Sequence, residues 1–530
     1  MGDLSDTLID MKGERILIDS LNRRFRVKYP VALSPPPANL RIFRESKPWK
    51  VYFSMIATVL PAFFLMYASL FIILGLVENE PVLTLSGGMC SLPLIFLLFR
   101  LHRPRIIHVR LATPDEKGST MHALPEGGSL QTPTRTIFSR FLIKEDSILE
   151  TPPSRQLWTI FAATVLLGFT LTSLFLFGGT ATLGNALFLI LAIPLWLVGF
   201  SLPVLAWWGS STSSIGMPTK RREAESWLIA GMASAFPAFF FNSLVAPELI
   251  PSSFPNWAME LSILAISAPV CEEFFKAIAV ALFLPSITGP KKGFQIGFTV
   301  GLGFALIENF QYIGYSLIGG PLSITVTILV RGIGSIPGHA VWTAISGCAI
   351  GWMATDSEIR SRLTWRAKSA AIGTVDLIES IGIDLDGDGD LSGFDGERRT
   401  PEEEAEHLER ITVLEPTWWT EGKYESSDSI ADEKLQLSAH DFGIKYEAIE
   451  PYPDRQGIRT PKSIKSALVL AISGHALWNG SSYASFVIPK YLGLGDSESA
   501  LIGLFWTVTL ILSILAVARS LMTGIKSLEN

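Results

Sequence analysis

Apolar residues in this chain run in long unbroken blocks, without the stripes of a half-buried helix or strand. The blocks lie at about 51–77, 81–100, 157–179, 183–209, 226–246, 259–285, 293–318, 321–355, 464–489 and 499–523. Crossing a hydrocarbon core of ~30 Å takes roughly 20 helical residues, and most of these blocks are that long. None shows the alternation of a barrel strand. In lipid only helices or closed barrels satisfy the backbone, so each block is expected to be a helix. The expected fold class is an all-α polytopic membrane protein, with about ten transmembrane helices and a soluble acidic insert.

Polar positions between the blocks set the expected orientation. Lys and Arg are dense before the first block (Arg23, Arg24, Arg26, Lys28, Arg41, Arg44, Lys47, Lys50). They are absent from 78–80 and return at Arg100, Arg103, Arg105 and Arg110. The alternation continues, with Lys220, Arg221 and Arg222, then Lys291 and Lys292, then Arg360, Arg362, Arg366 and Lys368 on one side. Cytoplasmic loops carry the excess of Lys and Arg, so the N-terminus is expected in the cytoplasm of a multi-pass cell-membrane protein.

The expected organisation is a cytoplasmic segment at 1–50 and N-terminal transmembrane helices over 51–209, with a polar loop at 101–156. The first part of a core follows at 226–355, a soluble acidic insert at 356–463, and the second part with a C-terminal helix at 464–530. Composition agrees: 48% of the 530 residues are hydrophobic and 17% charged, against about a quarter charged in soluble domains. Mean hydropathy is +0.37. No basic stripe interleaved with aromatics appears, so nucleic acid is not an expected partner. Cys90, Cys271 and Cys348 lie in apolar segments and suggest neither disulfides nor a CxxC metal site. The polar residues 1–48 give no expectation of a cleavable signal peptide.

Chemistry is concentrated where charge interrupts the apolar blocks. Residues 268–276 read Ala-Pro-Val-Cys-Glu-Glu-Phe-Phe-Lys, placing Glu272, Glu273 and Lys276 inside one block. A charge at the bilayer centre costs ~2.5–3.5 kcal/mol on insertion scales, which makes such residues functional candidates. A structural ion pair of Glu273 with Lys276 that helps hold helices together is the alternative. The next blocks carry Glu308-Asn309-Phe310-Gln311-Tyr312, then Arg331 and His339, then His475 and Asn479. Glu308 with Tyr312, and His475 with Asn479, share helix faces at i, i+4. Counted from the expected cytoplasmic ends, Glu272, Glu308, His339 and His475 fall at one depth, about 17–24 Å in at 1.5 Å per residue. A Glu with a nearby His can activate water, and a His–Asn pair can donate to an oxyanion.

At these residues the chain resembles the PrsW family of glutamic intramembrane proteases, related to the CAAX prenyl endopeptidases. The matching pieces are Glu272-Glu273-x-x-Lys276, Glu308-Asn309-x-x-Tyr312, Arg331 with His339, and His475-x-x-x-Asn479. The resemblance covers about 226–355 and 464–489. It implies an endopeptidase acting on membrane-associated proteins or peptides in lipid. Glu272 and His339 would activate water, His475 and Asn479 would form the oxyanion site, and Glu273 would belong to the catalytic set. Lys276, Glu308, Asn309, Tyr312 and Arg331 would support them, and catalysis would need no cofactor.

Three rivals stand beside this reading. One is a zinc protease using His339, His475 and a Glu, although no His-Glu-x-x-His motif is present. The others are a proton-coupled transporter and a non-catalytic membrane binder. Separately, 384–395 within the insert matches an EF-hand-type calcium loop. Asp384, Asp386 and Asp388 take positions 1, 3 and 5, Gly389 the turn, Asp390 and Ser392 positions 7 and 9, and Asp395 position 12. The insert also holds an acidic run of Glu402, Glu403, Glu404, Glu406 and Glu409.

Overall fold

A computed structural model covers the chain. It describes residues 47–102, 106–123, 129–144, 146–177, 181–217, 219–380, 398–406 and 460–526, with short strands and single positions elsewhere. The calcium-type loop at 384–395 lies outside the described residues. The chain divides into two compact units, one of 1–45 with 102–148 and one of 46–101 with 149–530.

The first unit departs from the all-α expectation. Residues 101–156, read from the sequence as a polar loop, contain a long antiparallel hairpin of β5 (Ile106–Ala123) and β6 (Ser129–Lys144). Its register runs from Ile106 opposite Lys144 to Ala123 opposite Ser129, with irregularities near Ser119. Shorter strands accompany it: β1 (Thr7–Ile9), β2 (Arg15–Ile18) and β3 (Arg24–Val27) form an antiparallel sheet. Strands β4 (Phe43–Arg44) and β7 (Asp146–Ser147) pair in parallel.

Helices make up the second unit. In order they are α1 (Pro48–Val77), α2 (Pro81–His102), α3 (Ser154–Phe177), α4 (Ala181–Ile215), α5 (Arg221–Phe240), α6 (Ala246–Leu249), α7 (Asn256–Ser262) and α8 (Ala268–Ala281). There follow α9 (Pro290–Ser316), α10 (Gly320–Val330), α11 (Ile336–Ala354), α12 (Ser357–Ser380), α13 (Ile464–Tyr491) and α14 (Asp496–Lys526). Among the described residues, seven helical stretches are long and apolar enough to cross a membrane; one of them, Pro290–Ala354, spans three of these helices. Helix α8 is short and charged, and α13 carries a His, an Asn and several Ser; neither is in that set.

Two helices form the centre. Every residue from 293 to 307 in α9 and from 336 to 351 in α11 is buried, as expected of helices apolar all round. Glycine brings them close: Gly293, Gly297 and Gly301 lie under the carbonyls of Gly347, Thr343 and His339. A Cβ at Gly297 would stand 2.5 Å from the Thr343 oxygen. Small residues at this spacing let membrane helices meet backbone to backbone. The outer helices present Phe53, Phe64, Leu85, Phe96, Leu166, Leu189 and Phe505 outward, an apolar surface of the kind that faces lipid.

Proline shapes three of the helices. Widened π-turns occupy Phe241–Val245, Ile263–Ser267 and Arg331–Ser335. Each ends one residue before an Ala-Pro or Ile-Pro pair, at Pro247, Pro269 and Pro337. Proline offers no N–H to the carbonyl four residues back and its ring crowds that carbonyl. The backbone relieves this by a five-residue bond, from the Ala268 N–H to the Ile263 carbonyl and from the Ile336 N–H to the Arg331 carbonyl. These turns immediately precede the stretches with Glu272 and His339, consistent with the frequency of π-turns at functional sites.

Candidate active site

All ten core residues singled out in the sequence converge. Helix α8 supplies Glu272, Glu273 and Lys276 at consecutive turns of its inner face, all buried. Lys276, with no exposed side-chain surface, is the hub. Its Nζ donates to Glu273 Oε1 at 2.7 Å and to His339 Nδ1 at 2.9 Å, and lies 3.5 Å from Glu272 Oε2. The ammonium also stands 3.9 Å above the centroid of the Phe304 ring on α9, a favourable cation–π placement.

These contacts fix the histidine protons. An ammonium has only donors, so His339 Nδ1 accepts and its proton sits on Nε2, 2.7 Å from Glu308 Oε2. His475 Nδ1 lies 3.0 Å from Glu273 Oε1 and donates to it. Its Nε2 then carries the lone pair, 3.1 Å from Asn479 Nδ2 and 3.7 Å from Glu272 Oε2. Each imidazole thus turns one nitrogen to a carboxylate and accepts at the other, His339 from Lys276 and His475 from the Asn479 amide.

A second layer holds the first. Arg331 Nη2 is 2.8 Å from Glu308 Oε2, its Nε bonds Asn309 Oδ1, and its guanidinium lies 4.1 Å from the centroid of the Tyr312 ring. The i, i+4 face expected for Glu308 and Tyr312 therefore meets a single arginine, delivered by the π-turn. Three residues escaped the sequence reading. Trp342 stacks on the His475 ring, with centroids 4.6 Å apart and planes 13° apart, and meets His339 edge-on. Thr343 donates to the His339 carbonyl at 2.9 Å and approaches Glu273 Oε2 at 3.5 Å. Phe304 floors the ammonium. Trp342 and Thr343 follow His339 by three and four residues, the positions that share its face.

Residues 225–375 match the family model of the PrsW family intramembrane metalloproteases. The match takes in Glu272, Glu273, Lys276, Glu308, Arg331 and His339 and ends before α13, so the geometry alone brings His475 and Asn479 to the PrsW-type residues. No curated protein and no solved structure matches the chain. The family description raises the question of a metal. Glu272, His339 and His475 each offer one ligand atom, all within 4.8 Å of one another, and two His with a carboxylate is a legitimate zinc set. Tetrahedral zinc at ~2.1 Å from each ligand would hold them about 3.4 Å apart. The measured separations from Glu272 Oε2 are 3.7 Å to His475 and 4.0 Å to His339, and Lys276 already places a positive charge on His339 Nδ1. The set could hold a metal ion, with the Lys276 ammonium on His339 Nδ1 as the group that a cation would displace.

Proposed function

We propose that this protein is an intramembrane endopeptidase that hydrolyses peptide bonds of membrane-associated proteins with a water activated by Glu272. One observation carries the reading: the spacing of Glu272, His339 and His475. Three atoms within 4.8 Å of one another leave a point about 2.8 Å from all of them, the length of a water hydrogen bond. A water there has the Glu272 carboxylate as base and lies between the two imidazole rings.

In the step proposed, Glu272 takes a proton from the water as the oxygen adds to the carbonyl carbon. The carbonyl π pair moves to oxygen, and the oxyanion accepts from the Asn479 amide, which His475 Nε2 holds in place. Glu273 accepts from His475 Nδ1–H and fixes the orientation of that ring. Collapse of the intermediate breaks the C–N bond, and the leaving amine takes the proton held by Glu272. Lys276 keeps two adjacent carboxylates compatible with a buried site. His339, engaged at both nitrogens, orients.

The same proposal takes the topology as ten crossings with a cytoplasmic N-terminus, including α8 and α13, whose low apolarity reflects the site residues they carry. It divides the core into 226–355 and 464–530 around the insert, where 384–395 would bind one calcium ion. A zinc site is the second reading. It is favoured by the two His-to-carboxylate bonds, the usual support of zinc-bound imidazoles. The test is cleavage of a single-span peptide panel by the purified protein. Glu272→Gln should lower turnover ~10²–10⁴-fold, and a chelator should leave wild-type turnover unchanged. Full activity in Glu272→Gln refutes the proposal; loss with chelator, restored by zinc, establishes the metal reading.

A further inference from the structure

An apolar cavity of about 330 Å³ lies between α11, α13 and α14, directly behind the histidine pair. Trp342, Ile345, Leu470, Gly474, Leu477 and Ile514 are among its walls, and of the side chains lining it only Ser513 bears a hydroxyl. Its outer side is open, where Leu470 and Leu477 are 48% and 60% exposed. The volume is at the lower end of small-ligand sites, enough for a large apolar side chain.

The cavity and the site share a wall. One face of the Trp342 indole stacks on His475, and the same residue lines the cavity. Gly474 makes this possible, since a Cβ there would stand 2.8 Å from the indole nitrogen. On α13 the lining residues Leu470, Gly474 and Leu477 recur at i, i+4 and i+7, one stripe of the helix. His475 follows Gly474 by one residue, about 100° around the same turn. Gly474 on the cavity wall and His475 in the site are thus neighbours on one turn of α13, with the Trp342 ring between cavity and imidazole.

We infer that this cavity is the subsite for a large apolar side chain of the substrate next to the scissile bond. Trp342 is the positioning residue between that side chain and His475. The inference rests on the peptidase reading above and adds the selectivity of the same site. The occupant is the substrate rather than a lipid chain because one wall of the cavity, Trp342, stacks on His475 of the site.

The test uses the full chain in detergent micelles and a library of single-span Leu/Ala peptides, with cut positions read by mass spectrometry. Wild type should cut beside Leu, Phe or Met in preference to Ala by roughly tenfold or more, the scale of a few methylenes in an apolar pocket. Ile514→Phe fills the cavity from α14 and should move the preference to Ala; Ile514→Ala enlarges it and should move the preference toward Phe and Trp. Opposite shifts in the two variants support the subsite. Preferences unchanged in both, with Glu272-dependent cleavage intact, overturn it while leaving the peptidase standing. Rates that follow only the acyl length of added lipid overturn it in favour of a lipid chain, and uniform loss in both variants overturns it in favour of packing. If wild type cuts no peptide, the peptidase reading falls and takes this inference with it.

Discussion

Lys276→Met removes the charge at the centre of the cluster while keeping most of its volume. The structure sets the size of the effect. Lys276 and Glu273 both have fully buried side chains, 2.7 Å apart, and Glu272 and His339 lean on the same ammonium. Removing one partner of a buried pair costs about 3–5 kcal/mol, because the other charge is left without compensation. Glu273 keeps a donor in His475 Nδ1, which places the expected loss near the lower end. Glu273→Gln alone should also destabilise, by stranding the ammonium. In the double variant neither charge remains, so its loss should fall short of the summed single losses by ~2 kcal/mol, within the range of coupled contacts. Equilibrium unfolding in mixed micelles, followed by tryptophan fluorescence, measures all four proteins. A neutral Lys276→Met, or strict additivity, would refute the view that this lysine is the counter-ion of the site.

Three further outcomes are expected. Asn479→Ala should lower turnover roughly 10²–10³-fold with an unchanged unfolding midpoint, the scale of losing one oxyanion donor; normal turnover per folded molecule would assign the residue to structure. Gly297→Val should cost about 1–3 kcal/mol by overpacking and also reduce turnover, because Thr343 and His339 share the seam. Gly314→Ala is the control, since its nearest neighbour would be 3.5 Å away, and equal losses in both would contradict the seam. Calorimetry on the full chain with millimolar calcium should give binding heat that Asp384→Ala/Asp388→Ala abolishes; equal heat from both rules out the loop.

The site was legible because charge is costly in an apolar block, so Glu272, Lys276, Glu308, Arg331 and His475 stood out one by one. Trp342, Thr343 and Phe304 did not, because an aromatic or a threonine in a buried helix looks like packing until its neighbour is known. Gly293, Gly297 and Gly301 recur at every fourth position, yet the carbonyls that rest on them belong to a helix about forty to fifty residues away, and the seam went unread. The hairpin was hidden for another reason. Ile107, Val109 and Leu111 alternate with His108 and Arg110, a strand pattern, but the Pro, Gly and charged residues around it read as loop.

The α9–α11 seam has a genetic consequence. Where a carbonyl rests on an α-carbon that bears only hydrogens, no rotamer exists to absorb a new methyl group, so damage passes along the backbone to whatever the helix carries. In a collection of random variants scored only by lost activity, Gly293, Gly297 and Gly301 would rank beside Glu272 and His475. A map drawn from such scores would trace a line of glycines running away from His339 along the seam, and the phenotype by itself would not tell the hand from the wrist.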